Sequence, residues 1–299
     1  MYDILIVGAG PAGLTAAIYA RRAGKSVLII EKGGFGGQMT YSPKIENYPG
    51  FAALSGMELA DKMVGQALAL GAEIEIDAVL SIENTPEKKI LHGETGDYEG
   101  KTVIVATGAK HRLLGVPGEE ELIGNGISFC AVCDGAFFEN EDVLVVGGGN
   151  SALQEAALLS ASCRSVTVIQ NLPVLTGERQ LQELLFAKDN VKFVYNATVE
   201  RFEKEGETVK TTVSEKGKEK VFYSDGVFVA IGLAPDNKPF EGTVTLDNGY
   251  VVSGEACETS CPGVYAAGDC RTKSVRQIAT AIADGAVAAL AACRYVENT

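Results

Sequence analysis

A strand, a glycine-rich turn and a helix occur twice in this chain at the same internal spacing, and that repeat restricts the fold more than any other feature. In the first copy Tyr2-Asp3-Ile4-Leu5-Ile6-Val7 is a short apolar strand, Gly8-Ala9-Gly10-Pro11-Ala12-Gly13 follows at once, and Leu14 to Ala23 has helical composition. In the second, Asp142 to Val146 is the strand, Gly147-Gly148-Gly149-Asn150-Ser151-Ala152 the turn, and Leu153 to Ser162 the helix. Each copy then reaches another apolar strand, Ser26 to Ile30 ending at Glu31 and Ser165 to Ile169 ending at Gln170, so Gly8 and Glu31, like Gly147 and Gln170, are 23 positions apart. In such a turn the first glycine permits the bend, the second lets backbone approach a pyrophosphate, and the third lets helix and strand pack closely. The helix N-terminus then offers N–H groups to the anion. Ala152 stands for the third glycine in the second copy, which the turn tolerates. Glu31 falls where an acid accepts hydrogen bonds from ribose hydroxyls, about 20 residues beyond the loop; Gln170, in the same register, has no charge.

Each half has a later strand closing on glycine, Thr102 to Gly108 in the first and Gly226 to Gly232 in the second. A final strand, Val264-Tyr265-Ala266-Ala267, leads into Gly268-Asp269 and a long helix-like segment from Ser274. That segment needs a core, and the first glycine-rich domain is the one without a C-terminal element. The expected fold is therefore α/β: two Rossmann-like nucleotide-binding domains of the three-layer ββα type, the second inserted into the first. Residues 1–112 with 243–299 make the outer domain and 113–242 the insert, joined through Lys110 to Val116 and Pro235 to Gly242.

With 46% hydrophobic and 22% charged residues, the composition is that of a globular protein. A net charge of −13 argues against a nucleic-acid-binding surface, which needs clustered Lys and Arg, and weakly against adhesion to anionic membranes. The first strand starts directly after Met1, leaving no room for a secretory signal, so a cytoplasmic location is expected. Ile278 to Leu290 is interrupted by Asp284 and reads as a packed helix too short to cross a bilayer.

Seven cysteines without a signal argue against a secreted disulfide framework, and make a catalytic pair the better use of Cys130-Ala131-Val132-Cys133. Two buried thiols are the plainer alternative. Zinc is not expected: His92 and His111 are the only histidines, and Cys257 and Cys261 have irregular spacing beside Pro262-Gly263.

These pieces, with Gly36-Gly37-Gln38, Glu46-Asn47-Tyr48-Pro49-Gly50, Ala106-Thr107-Gly108, Phe228 to Gly232 and Arg276-Gln277, occur in an order that resembles the low-molecular-weight thioredoxin reductases over nearly the whole length. The resemblance implies FAD in the outer domain, held by Gly8, Gly10, Pro11, Ala12, Gly13, Glu31, Lys32, Gly36, Gly37, Gln38, Asn47, Thr107, Gly108, Gly268, Asp269, Arg276, Gln277 and Ile278. It also implies a C-x-x-C-D active site. Cys133 would face the flavin, Cys130 would attack the disulfide of thioredoxin through a mixed disulfide, and Asp134 would move protons. A homodimer and a domain rotation between flavin and partner encounters belong to the same expectation. Cys163, Cys257, Cys261, Cys270 and Cys293 match no role and read as packing residues.

One stretch departs from the pattern. Members that use NADPH carry H-R-R-x-x-x-R after the second strand of the insert, whose arginines clamp the 2′-phosphate. Here Gln170-Asn171-Leu172-Pro173-Val174-Leu175-Thr176 has no arginine, so NADPH should bind poorly. NADH would favour an acid at position 170. Ferredoxin is the preferred electron donor on this reading, and NADH or NADPH the alternative. Two electrons falling from about −400 mV in ferredoxin to about −270 mV in thioredoxin release roughly 6 kcal/mol. Ferredoxins are usually acidic, as this chain is, so docking would need a basic patch such as Lys110, His111 and Arg112 or Arg271, Lys273 and Arg276. A third reading, a flavin-bound dithiol sensor without turnover, is disfavoured by Asp134, since rapid proton delivery matters most for turnover.

Overall fold

The structure, a computed structural model, describes residues 1–42 and 44–299. Along the chain, β1 (Tyr2–Val7), α1 (Pro11–Arg22), β2 (Val27–Glu31), α2 (Gly56–Ala69) and β3 (Glu73–Ile76) are followed by three strands. These are β4 (Val79–Asn84), β5 (Lys89–Gly93) and β6 (Asp97–Val105), and β7 (Ala109–His111) carries the chain out of the first unit. The order β3-β2-β1-β6 is parallel, and β5 and β4 continue it antiparallel from the first half of β6. One strand thus joins the two parts of the sheet: residues 97–100 of β6 pair with β5, while Gly100 and Thr102 to Val105 pair with β1.

The insert repeats the plan. It contains α3 (Glu119–Leu122), β8 (Ile127–Ser128), α4 (Ala131–Asp134), β9 (Asp142–Val146), α5 (Asn150–Leu159), β10 (Ser165–Ile169), α6 (Arg179–Phe186) and β11 (Val191–Val194). A meander follows, β12 (Ala197–Glu205), β13 (Thr208–Glu215) and β14 (Lys218–Ser224), and then β15 (Gly226–Val229). The parallel sheet has the order β11-β10-β9-β15-β8, and the meander forms a separate three-stranded sheet. After β16 (Leu233–Pro235) come the short strands β17 (Leu246–Asp247) and β18 (Tyr250–Val251), then β19 (Val264–Ala266), which pairs parallel with β6, and α7 (Ile278–Asn298).

The chain divides into residues 1–110 with 234–299 and residues 111–233. The return crossing lies nine residues before the expected 243, and the outward one at 110 instead of 112. Proline and glycine made Pro235 to Gly242 look like a linker, but Phe240 is fully buried in the outer core and Asn237 donates to the carbonyls of Gly249 and Cys270. This segment therefore belongs to the outer unit.

Alternating layers explain the strands' composition. Ile4 and Ile6 face the α1, α2 and α7 side with Ala16, Ala17 and Ala289, while Leu5 and Val7 face the opposite side with Leu91 of β5, Val103 and Phe240. Both faces of β1 are covered, so it reads as a continuous apolar run. The five unpaired cysteines are all buried, as packing residues are. The last helix extends beyond the expected Leu290 to Asn298, and its 21 residues are long and apolar enough to cross a membrane by length and composition alone. Its small-residue face, Ala288, Ala289 and Ala292, packs instead in the core that also contains α1 residues.

Helix α7 meets α1 at backbone distance. A Cβ on Gly285 would fall 2.2 Å from the Ala12 carbonyl oxygen, whereas a Cβ on Gly65, exposed on α2, would meet nothing within 4 Å. Gly285→Ala should therefore destabilise the fold by about 1–3 kcal/mol in urea unfolding of the FAD-loaded protein. Gly65→Ala should stabilise it by roughly 0.5–1 kcal/mol through helix propensity. Equal effects of the two would refute the close approach.

Candidate active site

In the outer unit, α1 begins at Pro11 with Gly10 as its cap and no side chain bonded to its first amides. Proline suits this position because its missing N–H would be unpaired anyway. Glu31, at the end of β2, accepts from Ala9 N at 2.7 Å through one oxygen and from Gly33 N at 2.9 Å through the other. Gly36 N donates to the Ala9 carbonyl, and a Cβ on Gly37 would lie 3.3 Å from the Gly10 Cα. The loops after β1 and β2 are thereby drawn together by backbone contacts that side chains would obstruct. Lys32 forms an ion pair with Asp236, and Thr107 donates to Asn237 at 2.7 Å. Asn47 donates to Gln277 at 3.3 Å, joining two expected contacts that are 230 positions apart. Gln38 is exposed and Gly108 adopts a positive φ beside the last strand of the sheet.

Gly268 and Asp269 follow β19. Gly268 N donates to Asp284 on α7 at 3.0 Å, and Asp284 also receives two bonds from Arg271 and one from Lys273, each at 2.8 Å. Burial pushes the Asp284 carboxyl up, but the bonds from Arg271 and Lys273 outweigh it and hold the group below its ordinary range. Asp269 is different: burial raises its carboxyl, and its Oδ1 is buried without a hydrogen-bond partner. Arg276 lies over the Tyr250 ring, 4.4 Å from its centre, and Gln277 caps α7, whose first residue is Ile278.

Two features test the fit of a flavin dinucleotide to these residues. The uncapped amides at the start of α1 suit a pyrophosphate, and the orphaned Asp269 oxygen suits a hydroxylated chain. The residues fit FAD.

In the inserted unit, Cys130 and Cys133 are joined in a disulfide, their Cα atoms 5.3 Å apart. Cys130 caps the single turn of α4, and Cys133 N donates to its Sγ at 3.2 Å. Ser128 Oγ donates to Asp134 at 2.5 Å and accepts from Cys130 N at 3.1 Å. Burial raises the Asp134 carboxyl, Ser128 opposes the shift, and Asp134 Oδ1 is buried with no partner. The sequence reading missed Glu155. It projects from α5, accepts from Ala131 N at 3.0 Å, and has its carboxyl pushed up to about 7 by burial, against the pull of that bond and with the help of Asp134. Its position four residues after Ser151 on the helix of the second glycine turn was the available signal.

At the second turn, the position that matches Glu31 is the neutral Gln170. Gln170 is buried, donates to the Val174 carbonyl at 3.1 Å and accepts from Asn171 N at 3.1 Å, so its amide closes its own loop. Thr176 N and Gly177 N both donate to the Gly148 carbonyl. A Cβ on Gly177 would lie 3.1 Å from Asn150 N, at the start of α5. Glu178 is bonded to the Asn150 side chain, and Arg179 pairs with Glu183 on the surface. The expected basic patches also change. Arg271 and Lys273 are partly buried and paired with Asp284, and burial lowers His111 to about 4, leaving it neutral. Lys110 and Arg112 are exposed.

The model of the pyridine nucleotide-disulphide oxidoreductase family matches residues 2–285. A thioredoxin reductase of Listeria monocytogenes is 44% identical, covering 100% of this chain and 95% of that protein. One from Bacillus subtilis is 42% identical, covering 100% of this chain and 96% of its own. The crystal structure of thioredoxin reductase from Streptococcus pyogenes superimposes with a TM-score of 0.95 at 42% identity, covering 100% of this chain and 99% of that one.

Glu31→Ala removes the acceptor of two backbone amides, and hydrogen bonds to a charged group contribute about 1.5–3 kcal/mol each. FAD affinity should fall by roughly tenfold or more, measured as flavin absorbance per protein after dialysis. Cys130→Ser should retain its flavin. Equal loss in both variants would count against the outer unit as the cradle.

Proposed function

The chain belongs to the pyridine nucleotide-disulphide oxidoreductases and, within them, to the low-molecular-weight thioredoxin reductases; on that premise we propose that it reduces thioredoxin with electrons from a ferredoxin-class carrier rather than from NADPH. FAD, the cofactor of this family, is what allows single electrons to enter and a pair to leave. The Gly8 turn and Glu31 would hold its dinucleotide half, and Gly37, Gln38, Asn47, Thr107, Asp269, Arg276 and Gln277 the remainder.

The observation that carries the donor reading is Gln170. A nicotinamide dinucleotide needs a carboxylate here for free ribose hydroxyls, or guanidinium groups for a 2′-phosphate. Gln170 supplies neither, and both ends of its amide are engaged by its own loop. The second reading, an NAD(P)H-dependent reductase, draws on the intact Gly147-Gly148-Gly149 turn and on the uncapped start of α5.

Thioredoxin reduction itself follows from the dithiol. Cys130 as thiolate attacks the partner disulfide, giving a mixed disulfide and releasing one partner sulfur. Cys133 then attacks Cys130 Sγ, releasing the second partner sulfur and restoring the Cys130–Cys133 bond. Asp134, raised by burial and hydrogen-bonded to Ser128, is placed to accept a proton in one half of this cycle and return it in the other. A homodimer in the cytoplasm is the assembly and setting that this reading carries with it.

Anaerobic mixing of the oxidised flavoprotein with NADPH, NADH or reduced ferredoxin, followed at the flavin absorbance, tests the donor. Ferredoxin should bleach the flavin within seconds and neither nucleotide should; rapid bleaching by NADPH would replace the donor while leaving thioredoxin reduction standing. Cys130→Ser should abolish thioredoxin reduction with every donor.

A further inference from the structure

The Cys130 to Asp134 turn is held by a carboxyl on either side. Asp134 is tied to Ser128, whose oxygen also accepts the Cys130 amide, and Glu155 binds the next amide, that of Ala131, at 3.0 Å. Ser151 and Glu155, one helical turn apart on α5, line a cavity of about 80 Å³ together with His111, Phe129 and Leu233. That volume is large enough for water, and Ser151, Glu155 and His111 are the polar side chains of a lining that is otherwise mostly apolar.

We propose that Glu155 is a proton-holding positioning residue of the dithiol, taking up one proton when Cys130 becomes a thiolate and releasing it when the disulfide reforms, coupled to Cys130 by charge across the Ala131 amide it binds. This rests on the reading of Cys130 and Cys133 as the exchanging pair. Reduction of their disulfide, for which bound FAD would supply the electrons, consumes two electrons and two protons: the S–S bond breaks and two S–H bonds form. Exchange with a partner disulfide returns two electrons and two protons, one with each partner sulfur released. Whenever Cys130 is a thiolate, one of those protons resides elsewhere. Asp134 accounts for a carboxyl at one end of the turn, and Glu155 supplies a second on the other side.

Charge repulsion couples the sites. A thiolate at Cys130 draws on the Cys133 amide, while an ionised Glu155 draws on the neighbouring Ala131 amide. Two negative charges facing one turn disfavour each other, so the proton leaving one is favoured on the other. Among the described residues, no cation is seen to relieve this at Glu155. His111, the basic group lining the cavity, is neutral, and Asp134 on α4 adds negative charge when ionised. On α6, Arg179 and Glu183 pair with one another, and Glu178 before it is bonded to Asn150. β9 and β10 present Val143, Val145, Val166 and Val168 to the core they share with α5. Held near 7 by burial, Glu155 exchanges its proton in the working range of the thiol.

The test is the alkylation of Cys130 by iodoacetamide in FAD-loaded protein reduced with dithiothreitol, read by mass spectrometry across about pH 5 to 9, which brackets both ionisations. The wild type should show an inflection near 7 in addition to that of the thiol. Glu155→Gln, which keeps an acceptor for the Ala131 amide but cannot ionise, should lose that inflection and react about three- to tenfold faster at neutral pH, as expected for removing one like charge. Glu155→Asp should keep an inflection at a shifted pH. Superimposable wild-type and Glu155→Gln profiles overturn the proposal, as does a Glu155→Asp profile with no second inflection. Should Glu155→Gln fail to retain FAD, the aspartate variant decides, an unchanged profile counting against the proposal. No electron donor or thioredoxin enters this measurement. An enzyme that failed to reduce thioredoxin would overturn the proposed function and leave the Glu155 profile readable.

Discussion

One buried carboxylate, Asp284, holds the C-terminal helix to the strand end that presents Asp269. It accepts from the Gly268 amide, from Arg271 twice and from Lys273 once. Removing one partner from such a cluster leaves a charge in low dielectric and typically costs about 3–5 kcal/mol. The depressed carboxyl lends its stability above its unfolded value, and that stability fades as the pH falls through the lowered one. Above it, Asp269 keeps an oxygen without a partner. Asp284 is thus fully engaged while the neighbouring Asp269 keeps an unsatisfied oxygen, which suits the cradle role proposed for it.

The two glycine turns show how one backbone plan supports different chemistry. At the first, the residue ending the second strand is an acid whose two oxygens grip both neighbouring loops, leaving the start of α1 uncapped. At the second, the equivalent residue is an amide that satisfies itself against Val174 and Asn171, and the loop that follows lies against Gly148 and Asn150. The glycines are needed in both places because helix and strand must pack closely, whether or not a nucleotide is bound. A glycine-rich fingerprint therefore reports the packing of a fold, and the side chain at the strand end reports its ligand.

That distinction also sets what was legible in the sequence. The turns, the 23-residue register and the C-x-x-C pair are local patterns, and local sterics dictate them. The return crossing was not legible, because Phe240 buries itself for reasons of tertiary packing inside a stretch whose prolines and glycines suggest a linker. Arg271 and Lys273 read as solvent-facing cations since nothing near them in sequence shows Asp284, which is on a helix more than ten residues later. Glu155 looked like any surface glutamate on an alanine- and leucine-rich helix. Its distinction is an amide 24 positions upstream, a contact that only the packing of α4 on α5 creates.

Charge decides how such an acidic protein could meet an acidic electron carrier. At physiological ionic strength the Debye length is about 8 Å, so the overall charge of −13 acts weakly on a partner beyond that distance. What matters is the sign of the few groups a docked partner would touch. With Arg271 and Lys273 committed to Asp284 and His111 neutral, the exposed cations of the proposed patches reduce to Lys110 and Arg112. Both sit where the chain leaves the outer unit for the insert. Lys110 belongs to the outer unit and Arg112 to the insert, so each unit would offer a carrier only one of these cations, and binding would be weak and release quick. That suits a one-electron donor, which must visit twice for each disulfide reduced.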